Sequence, residues 1–262
     1  MKKLQDKVAV FVGGGSAVAT IALKHFMDEG AKVLLVDVDE KYFDRSRQLR
    51  DEYPERIRTF IGACTCQGDM ERAMAFAEQE FGGIDILCNY AGFHGGGDIT
   101  TVLREQWRIA MDVTCLGIYR AVRAAYPYMK KHHYGRIMNF ASIGGRANRG
   151  VPVTYAGFKA AAIGLTRALA LELAADGITV NSMAPASLDT SAFERIPEKD
   201  SIPMQPPKGA LKGATRGGSF LPDRPVATLD EIAHVIVFMS SDDSAFLTGD
   251  CLDVNGGQFM QP

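Results

Sequence analysis

The sequence predicts an α/β protein built on a doubly wound parallel sheet of about seven strands with helices on both faces. Short apolar runs alternate with longer helical patterns along the chain. Each run is almost continuously hydrophobic, as expected of a strand covered on both faces of a parallel sheet. Right-handed crossovers between such strands wind the chain in both directions from the centre of the sheet.

Four strands and three helices are predicted in the first half of the chain. The runs KVAVFV, KVLLVD and IDILCN indicate strands at 7–12, 32–37 and 84–89, and 58–63 has the same character. Helical spacing of apolar residues indicates helices at about 17–29, 40–53 and 69–81. Gly30 ends the first helix, and Pro54 ends the second because proline disfavours helical geometry in the residue before it.

The second half continues the alternation. Helices are predicted at about 104–131, 154–176 and 229–240, and strands at 136–140, 179–183 and 251–254. The stretch 184–225 is rich in Pro, Gly, Lys and Ser and exceeds the ~12–15 residues of an ordinary connection. A functional loop is therefore expected there, with 191–224 acting as a substrate loop or lid.

Composition excludes several classes of protein. The 262 residues are 47% hydrophobic and 23% charged, which is typical of a soluble globular chain and excludes intrinsic disorder. The formal net charge of −2 argues against a dedicated nucleic-acid-binding protein. The length fits one α/β domain over 1–262.

The cysteines and the apolar runs indicate a cytoplasmic protein. Five cysteines form no Cys-x-x-Cys pair, so all five are expected to be buried, reduced thiols rather than disulfides or zinc ligands. No histidine pattern indicates a metal. The apolar run Val8–Val12 is too short for the core of a secretory signal, and no run approaches the ~18 residues of a membrane span.

A glycine-rich turn, Gly13-Gly14-Gly15, joins the first strand to the first helix. A doubly wound sheet binds pyrophosphate at this position, because the backbone N–H groups and the helix dipole stabilise an anion. A plain tight turn is the alternative interpretation. Asp37, at the end of the second strand, strengthens the functional interpretation, since its carboxylate can accept hydrogen bonds from a ribose diol. The same charge repels a 2′-phosphate and favours NAD over NADP.

Ser142, Tyr155 and Lys159 form the second constellation. Tyr155 and Lys159 are four residues apart on one helix and therefore project from one face. We expect the ammonium group to lower the tyrosine pKa from its usual value of about 10. Tyr155 can then exchange a proton with an alcohol or carbonyl oxygen while a hydride moves at carbon, and Ser142 orients that oxygen.

With these motifs the chain resembles the short-chain dehydrogenase/reductase family over nearly its whole length. The resemblance implies a Rossmann-like fold, a homodimer or homotetramer, and NAD(P)-dependent oxidation of an alcohol or reduction of a carbonyl. It assigns catalysis to Ser142, Tyr155, Lys159 and, in place of the family's asparagine, Thr114. It assigns cofactor binding, in addition to Asp37, Tyr155 and Lys159, to Gly13, Ser16, Ala17, Val18, Asn89, Ala91, Gly92, Pro185, Leu188 and Thr190.

Departures from the family pattern concentrate around the expected cofactor. Ala17 and Ala19 replace glycines, and each methyl is expected to hinder the approach of the pyrophosphate or a neighbouring strand. Thr114 is expected to slow the proton relay that an asparagine supports. The remaining departures are Val12, Cys64-Thr65, Tyr90 and Ala186.

These departures keep two alternatives open. One is a family member with a degenerate dinucleotide site that acts as a binding protein or in lyase or isomerase chemistry. The other is an enoyl-thioester reductase, which the run Ser16–Ala19 resembles faintly and the short Tyr-Lys spacing opposes. The sequence predicts a small alcohol or carbonyl compound as the substrate. No nucleic-acid, membrane or metal partner is expected.

Overall fold

The computed structural model describes residues 2–260, except Gly97, Asn148, Arg149, residues 194–218, Pro222 and Pro225. Seven parallel strands form one sheet in the order β3-β2-β1-β4-β5-β6-β7. The strands are β1 (Val8–Val12), β2 (Lys32–Asp37), β3 (Ile57–Ile61), β4 (Ile86–Asn89), β5 (Gly135–Phe140), β6 (Ile178–Pro185) and β7 (Cys251–Val254). This confirms the predicted doubly wound, Rossmann-like sheet.

The helices cover both faces of this sheet. They are α1 (Ala17–Asp28), α2 (Arg47–Glu52), α3 (Gln67–Phe81), α4 (Arg104–Ala110), α5 (Gly117–His132), α6 (Val153–Leu173) and α7 (Leu229–Ser240). Helix α1 packs beside α7 on one face, and α3 packs beside α5 on the other. Each face therefore has its own hydrophobic core.

Strand β1 shows how the sequence produces this two-sided core. All five of its residues are buried. Val10 and Val12 belong to the core under α3 and α5, whereas Ala9 and Phe11 belong to the core under α1 and α7. Side chains alternate across a strand, so a run apolar at every position fills both cores.

The position of a binding cleft follows from the pairing of β1. This strand pairs with β2 on one side and with β4 on the other, so the winding direction reverses at β1. A crevice forms at such a reversal, outside the carboxyl ends of the strands. The turns after β1, β4, β5 and β6 all lie at that edge.

Two helical segments differ from the predicted ones. The first part of the helix predicted at 40–53 is a 3₁₀-helix over Glu40–Ser46, where Phe43 and Ser46 are buried at the three-residue repeat of that helix. The long helix predicted at 104–131 contains a π-helical turn, Met111–Leu116, between α4 and α5. A wider turn of this kind is not visible in the hydrophobic spacing of the sequence.

The cysteines depart in part from the expectation of five buried thiols. All five are unpaired, but Cys66 is exposed and Cys115 is half-buried. Cys66 lies at the surface because it is the residue preceding α3. Among the described residues there is no His, Cys, Asp and Glu group that could hold a metal ion. No described helix is both long and apolar enough to cross a membrane.

Candidate active site

Two adjoining cavities occupy the crevice at the carboxyl edge of the sheet. One, of about 340 Å³, lies between the start of α1, the end of β5 and the residues after β6. The other, of about 560 Å³, lies between the glycine turn, the end of β2 and the turn after β4. Gly92, Ser16 and Tyr90 line both, so the two cavities form one continuous cleft.

The glycine turn is shaped by close backbone contacts. Gly13 has φ +81°, and a Cβ there would lie 2.6 Å from the backbone nitrogen of Ala91. A Cβ on Gly15 would lie 2.4 Å from the Cβ of Tyr42. Neither position can hold a larger residue without moving backbone. Ser16 then caps α1 by accepting a hydrogen bond from the Ala19 backbone N–H at 3.2 Å.

Asp37 is tied to this turn. Its carboxylate accepts hydrogen bonds from the backbone N–H of Gly15 at 2.9 Å and of Val38 at 2.8 Å. Burial raises the pKa of Asp37, and these two hydrogen bonds oppose that effect. Arg45 donates to the carbonyl of Gly15 at 2.9 Å, so the two polar backbone groups of Gly15 are held from opposite sides. The carboxylate also lines the larger cavity.

The two alanines that replace family glycines occupy different environments. Ala17 lines the smaller cavity at the start of α1. Ala19 is fully buried in the core that α1 forms with α7 and does not line the cleft. Of the two expected positions, next to the pyrophosphate or next to a neighbouring strand, Ala19 therefore occupies the second, because its methyl group packs in the core against the sheet.

The residues after β4 divide between core and cleft. Ala91 and Gly92 line the cleft. Asn89, predicted to bind the cofactor, instead donates its side-chain amide to Asn139 at 2.9 Å, and Asn139 donates to Thr166. Asn89 is 3% exposed and lines neither cavity. Through Asn139, it connects β4 to β5 and α6 inside the protein. Tyr90 packs between Phe11 and Phe140, with ring centroids 5.2 and 5.8 Å away.

Lys159 is buried at the floor of the cleft, with 4% of its surface exposed. Its Nζ donates to the carbonyl of Phe140 at 2.5 Å. Burial lowers the pKa of Lys159 to about 8, because a charged ammonium is costly away from water. A Cβ on Gly92 would lie 3.1 Å from this Nζ, so the absence of a side chain at Gly92 keeps the ammonium open to the cleft.

Tyr155 and Ser142 face the same cavity as Lys159. Ser142 Oγ accepts a hydrogen bond from the Gly144 N–H at 3.0 Å, which leaves its own proton for the hydroxyl of Tyr155. Burial raises the pKa of Tyr155, and the bond from Ser142 opposes that rise. The expected lowering by Lys159 is therefore wrong for the protein alone, because desolvation of the phenolate outweighs the effects that favour it.

Thr114 lies in the π-helical turn, 2% exposed. Its Oγ1 accepts a hydrogen bond from the backbone N–H of Phe93 at 3.4 Å. The next residue, Cys115, interacts electrostatically with Lys159. The π-helical turn thus places Thr114 beside the segment after β4 and Cys115 beside Lys159.

Pro185, Leu188 and Thr190, which were predicted to bind the cofactor, line the smaller cavity at and after the end of β6, together with Val18 of α1. A bridge between Leu188 and Ala227 fixes this segment in front of α7. Most of the predicted lid, 191–224, lies outside the described residues. Its described end is anchored, because Phe220 donates its backbone N–H to the carbonyl of Gly256 at 2.8 Å.

The sequence interpretation missed His94, which also lines the smaller cavity. Its ring stacks on that of Tyr155, with centroids 5.0 Å apart and planes at 7°. His94 follows β4 by five residues, at the edge of the sheet where functional residues gather. This position is the feature of the sequence that could have identified His94. Its contact with Tyr155 depends on tertiary structure.

Known proteins resemble this chain over almost its whole length. A family model described as Enoyl-(Acyl carrier protein) reductase matches residues 15–258. The BbsD subunit of (2S)-((R)-hydroxy(phenyl)methyl)succinyl-CoA dehydrogenase from Thauera aromatica is 31% identical over 265 residues, covering 98% of each chain. A 3-oxoacyl-(acyl-carrier-protein) reductase from Thermotoga maritima is 28% identical over 255 residues, covering 97% of this chain and 98% of the relative. The crystal structure of a glucose/ribitol dehydrogenase from Brucella melitensis matches with TM-score 0.81 and 25% identity over 100% of both chains.

Proposed function

This chain belongs to the short-chain dehydrogenase/reductase family and is an oxidoreductase, and from that premise we propose that it transfers hydride between NAD(H) and an alcohol or carbonyl substrate. The observation that carries the proposal is the convergence of Ser142, Tyr155 and Lys159 on one cavity beside the glycine turn. The relatives that act on acyl-CoA and acyl-carrier-protein compounds favour a hydroxyacyl or oxoacyl substrate for this chain as well.

The cleft fits a nicotinamide dinucleotide. Gly13 and Gly15 have no room for side chains, so the turn forms a bare backbone cradle at the start of α1. Gly13, Ser16, Ala17 and Val18 would hold the pyrophosphate, and Asp37 the adenosine ribose. At the other end, Lys159 would contact the nicotinamide ribose, and the nicotinamide would lie among Ala91, Gly92, Pro185, Leu188 and Thr190.

In this mechanism Ser142 donates a hydrogen bond to the substrate oxygen and fixes its position. Tyr155 gives its proton to that oxygen in carbonyl reduction and takes it back in alcohol oxidation. Lys159 stabilises the phenolate that forms on Tyr155. Thr114 helps to hold in place the polar groups through which Tyr155 regains its proton. The bound nicotinamide supplies or accepts the hydride at the substrate carbon.

Titration with NADH separates this proposal from a degenerate dinucleotide site. We expect NADH fluorescence to change with saturation, and alcohols of graded size to reduce NAD when the protein is present. Ketone and enoyl-thioester substrates are tested in the same way with NADH. Absence of NADH binding would favour the degenerate site, and turnover of the enoyl thioester alone would favour the enoyl reductase.

Cofactor preference tests the role of Asp37. We expect a higher kcat/KM with NAD than with NADP, because the carboxylate opposes a 2′-phosphate. Asp37→Asn keeps an oxygen that accepts from Gly15 and removes the charge, so relative use of NADP should rise about tenfold or more, helped by the nearby Arg45. A wild-type preference for NADP would exclude Asp37 as the ribose ligand.

A further inference from the structure

We propose that Arg146 is a positioning residue, which holds the turn that carries Ser142 in its active geometry through an ion pair with Asp253 of β7. The inference rests on the proposed function in one respect, because it takes Ser142 as the residue that orients the substrate oxygen. Arg146 is not among the described residues that line the two cavities of the cleft. Its effect on the reaction therefore passes through the turn.

The turn after β5 is short and internally hydrogen-bonded. Ser142 begins a 3₁₀ turn over Ile143–Gly145, and Arg146 is the residue that ends it. Arg146 donates its backbone N–H to the carbonyl of Ile143 at 2.9 Å, and Gly145 donates to the carbonyl of Ser142 at the same distance. These two overlapping bonds span only five residues, so a displacement of Arg146 is transmitted to Ser142.

The same turn packs tightly against the catalytic part of α6. A Cβ on Gly144 would lie 3.2 Å from Cε1 of the Tyr155 ring. A Cβ on Gly145 would lie 2.6 Å from the backbone nitrogen of Ala160, next to Lys159. The turn therefore has no room to move toward α6. Movement away from α6 is what a side chain of the turn must oppose.

The side chain of Arg146 supplies this restraint. Its Nε and Nη2 donate to the two carboxylate oxygens of Asp253 at 3.1 and 2.7 Å, and Nη2 also donates to the carbonyl of Cys251 at 3.1 Å. Both acceptors belong to β7, which is paired in the sheet with β6. The Arg146 side chain is 8% exposed, so water screens this pair less than a surface pair. Two N–H groups on one carboxylate fix direction as well as distance.

Reduction of ethyl acetoacetate with NADH tests the role of Arg146. Arg146→Met removes the charge and keeps an unbranched side chain, so the turn loses its anchor on β7. We expect kcat to fall roughly 10- to 100-fold, because a small displacement of a group that orients the substrate costs about that much. NADH affinity should be unchanged. Arg146→Lys can still pair with Asp253, without the planar fork, and should recover part of the rate.

A double variant separates positioning from a merely structural role. In a Ser142→Ala background there is no hydroxyl to misplace, so Arg146→Met should lower kcat little further. A structural role would lower kcat by the same factor in both backgrounds. Arg136→Met is the matched control, because Arg136 is similarly buried at the other end of β5 and pairs with Asp242 at 2.9 Å. It should lower the melting temperature and leave kcat unchanged.

Hydrogen exchange adds a readout that needs no substrate. Backbone amides of 142–147 should exchange faster in Arg146→Met than in the wild type, whereas those of α1 should not. Unchanged exchange in the turn, an unchanged kcat, or equal losses in both backgrounds would overturn the role of Arg146 and leave the proposed function intact. If Arg146→Met does not fold, Asp253→Asn replaces it in each measurement.

Failure of the proposed function gives a different result. A wild-type protein that binds NADH but reduces no carbonyl compound would overturn that function, while hydrogen exchange would still decide whether Arg146 holds the turn. Circular dichroism and NADH titration check that each variant is folded.

Discussion

Tyr155 is the residue on which the proposed reaction depends most directly. Its ring is held by His94 on one face, and its hydroxyl by Ser142. Because burial raises its pKa, the phenol is protonated at neutral pH in the protein alone, which is the form needed to reduce a carbonyl. The reverse reaction needs the phenolate, so alcohol oxidation should become faster as the pH rises.

We expect Tyr155→Phe to remove turnover and to leave the fold and NADH affinity nearly unchanged, since only the hydroxyl is lost. General acid–base groups contribute about 10²–10⁴-fold to a rate. Initial rates with the best substrate of the screen, together with an NADH titration, measure both effects. A variant that kept more than about a tenth of the wild-type rate would exclude the acid–base role.

Lys159 should give the folding stability a distinctive pH dependence. Its pKa of about 8 in the folded protein lies below the 10.5 of a free lysine, so between these values the unfolded chain binds a proton that the folded chain does not. Stability contributed by this group therefore rises with pH from about 8 to 10.5, by as much as roughly 3 kcal/mol.

Urea unfolding of the wild type and of Lys159→Met at pH 7 and pH 10 measures this effect. The wild type should gain stability relative to the variant as the pH rises, by about 2–3 kcal/mol. Other titrating groups are common to both proteins and cancel in the comparison. If the free energy of unfolding changed equally with pH in both proteins, burial of the Lys159 ammonium would not carry this cost.

The convergence of Ser142, Tyr155 and Lys159 on one cavity could be predicted from the sequence, whereas the surroundings of these residues could not. Tyr155 and Lys159 are four residues apart on one helix, so local geometry alone puts them on one face. His94 reaches Tyr155 only through packing of a loop on α6, and Asn89 turns into the core because Asn139 lies opposite it on β5. Contacts between distant segments leave no periodic signal in the chain.

At the scale of elements, the start of α1 combines a helix cap with the expected pyrophosphate site. Ser16 caps the helix, and Ala17 follows it in the wall of the cleft. Ala17→Gly removes the methyl group nearest the expected phosphates. We expect NADH affinity to increase modestly, because glycine at a helix start also costs up to about 1 kcal/mol.

Titration of NADH into the wild type and into Ala17→Gly measures this change. Ala19→Gly is the matched comparison, because Ala19 is buried in the core. That variant should lose stability without a gain in affinity. Equal or weaker binding by Ala17→Gly would show that the turn is adapted to alanine.

The strands were predicted nearly at their observed bounds, because in an α/β fold a short, continuous apolar run fits few positions other than a buried strand. The helices were less accurate where hydrogen bonding departs from the α pattern. Glu40–Ser46 is 3₁₀ and Met111–Leu116 is π-helical, yet both segments keep spacings that are compatible with an α-helix. Apolar spacing records which side of a helix is buried, and it records hydrogen-bond register only weakly.

At the scale of the whole molecule, one face of α6 carries apolar and small residues that no element among the described residues covers. Leu171 is 85% exposed. Ala160, Gly164 and Ala168 are exposed on the same helix. Helix α4 and the following turns add Trp107, Met111 and Leu116, each more than a third exposed. Apolar surface of this extent is typical of contacts between subunits, and we infer a homodimer or homotetramer through these helices.

Gly164→Leu is designed to test that inference. A Cβ at Gly164 meets no atom of the described part of the chain within 4 Å, so the variant should fold and gain helix propensity. In an assembly that brings two helices close together, the larger side chain should block contact. Light scattering should then show a smaller mass for Gly164→Leu than for the wild type, and Lys131→Met is the surface control. A monomeric wild type at micromolar concentration would refute the inference.

The π-helical turn Met111–Leu116 also constrains how this chain can change in length. Deleting one residue from it would restore regular α-helical hydrogen bonding, but would rotate Thr114 by about 100° relative to α5. Thr114 accepts a hydrogen bond from Phe93 in the segment after β4, while Ala121 and Ala125 of α5 fill the core against the sheet, so one of these two sets of contacts would be lost. We therefore expect that this turn does not tolerate single-residue insertions or deletions, even where it tolerates substitutions of its exposed side chains.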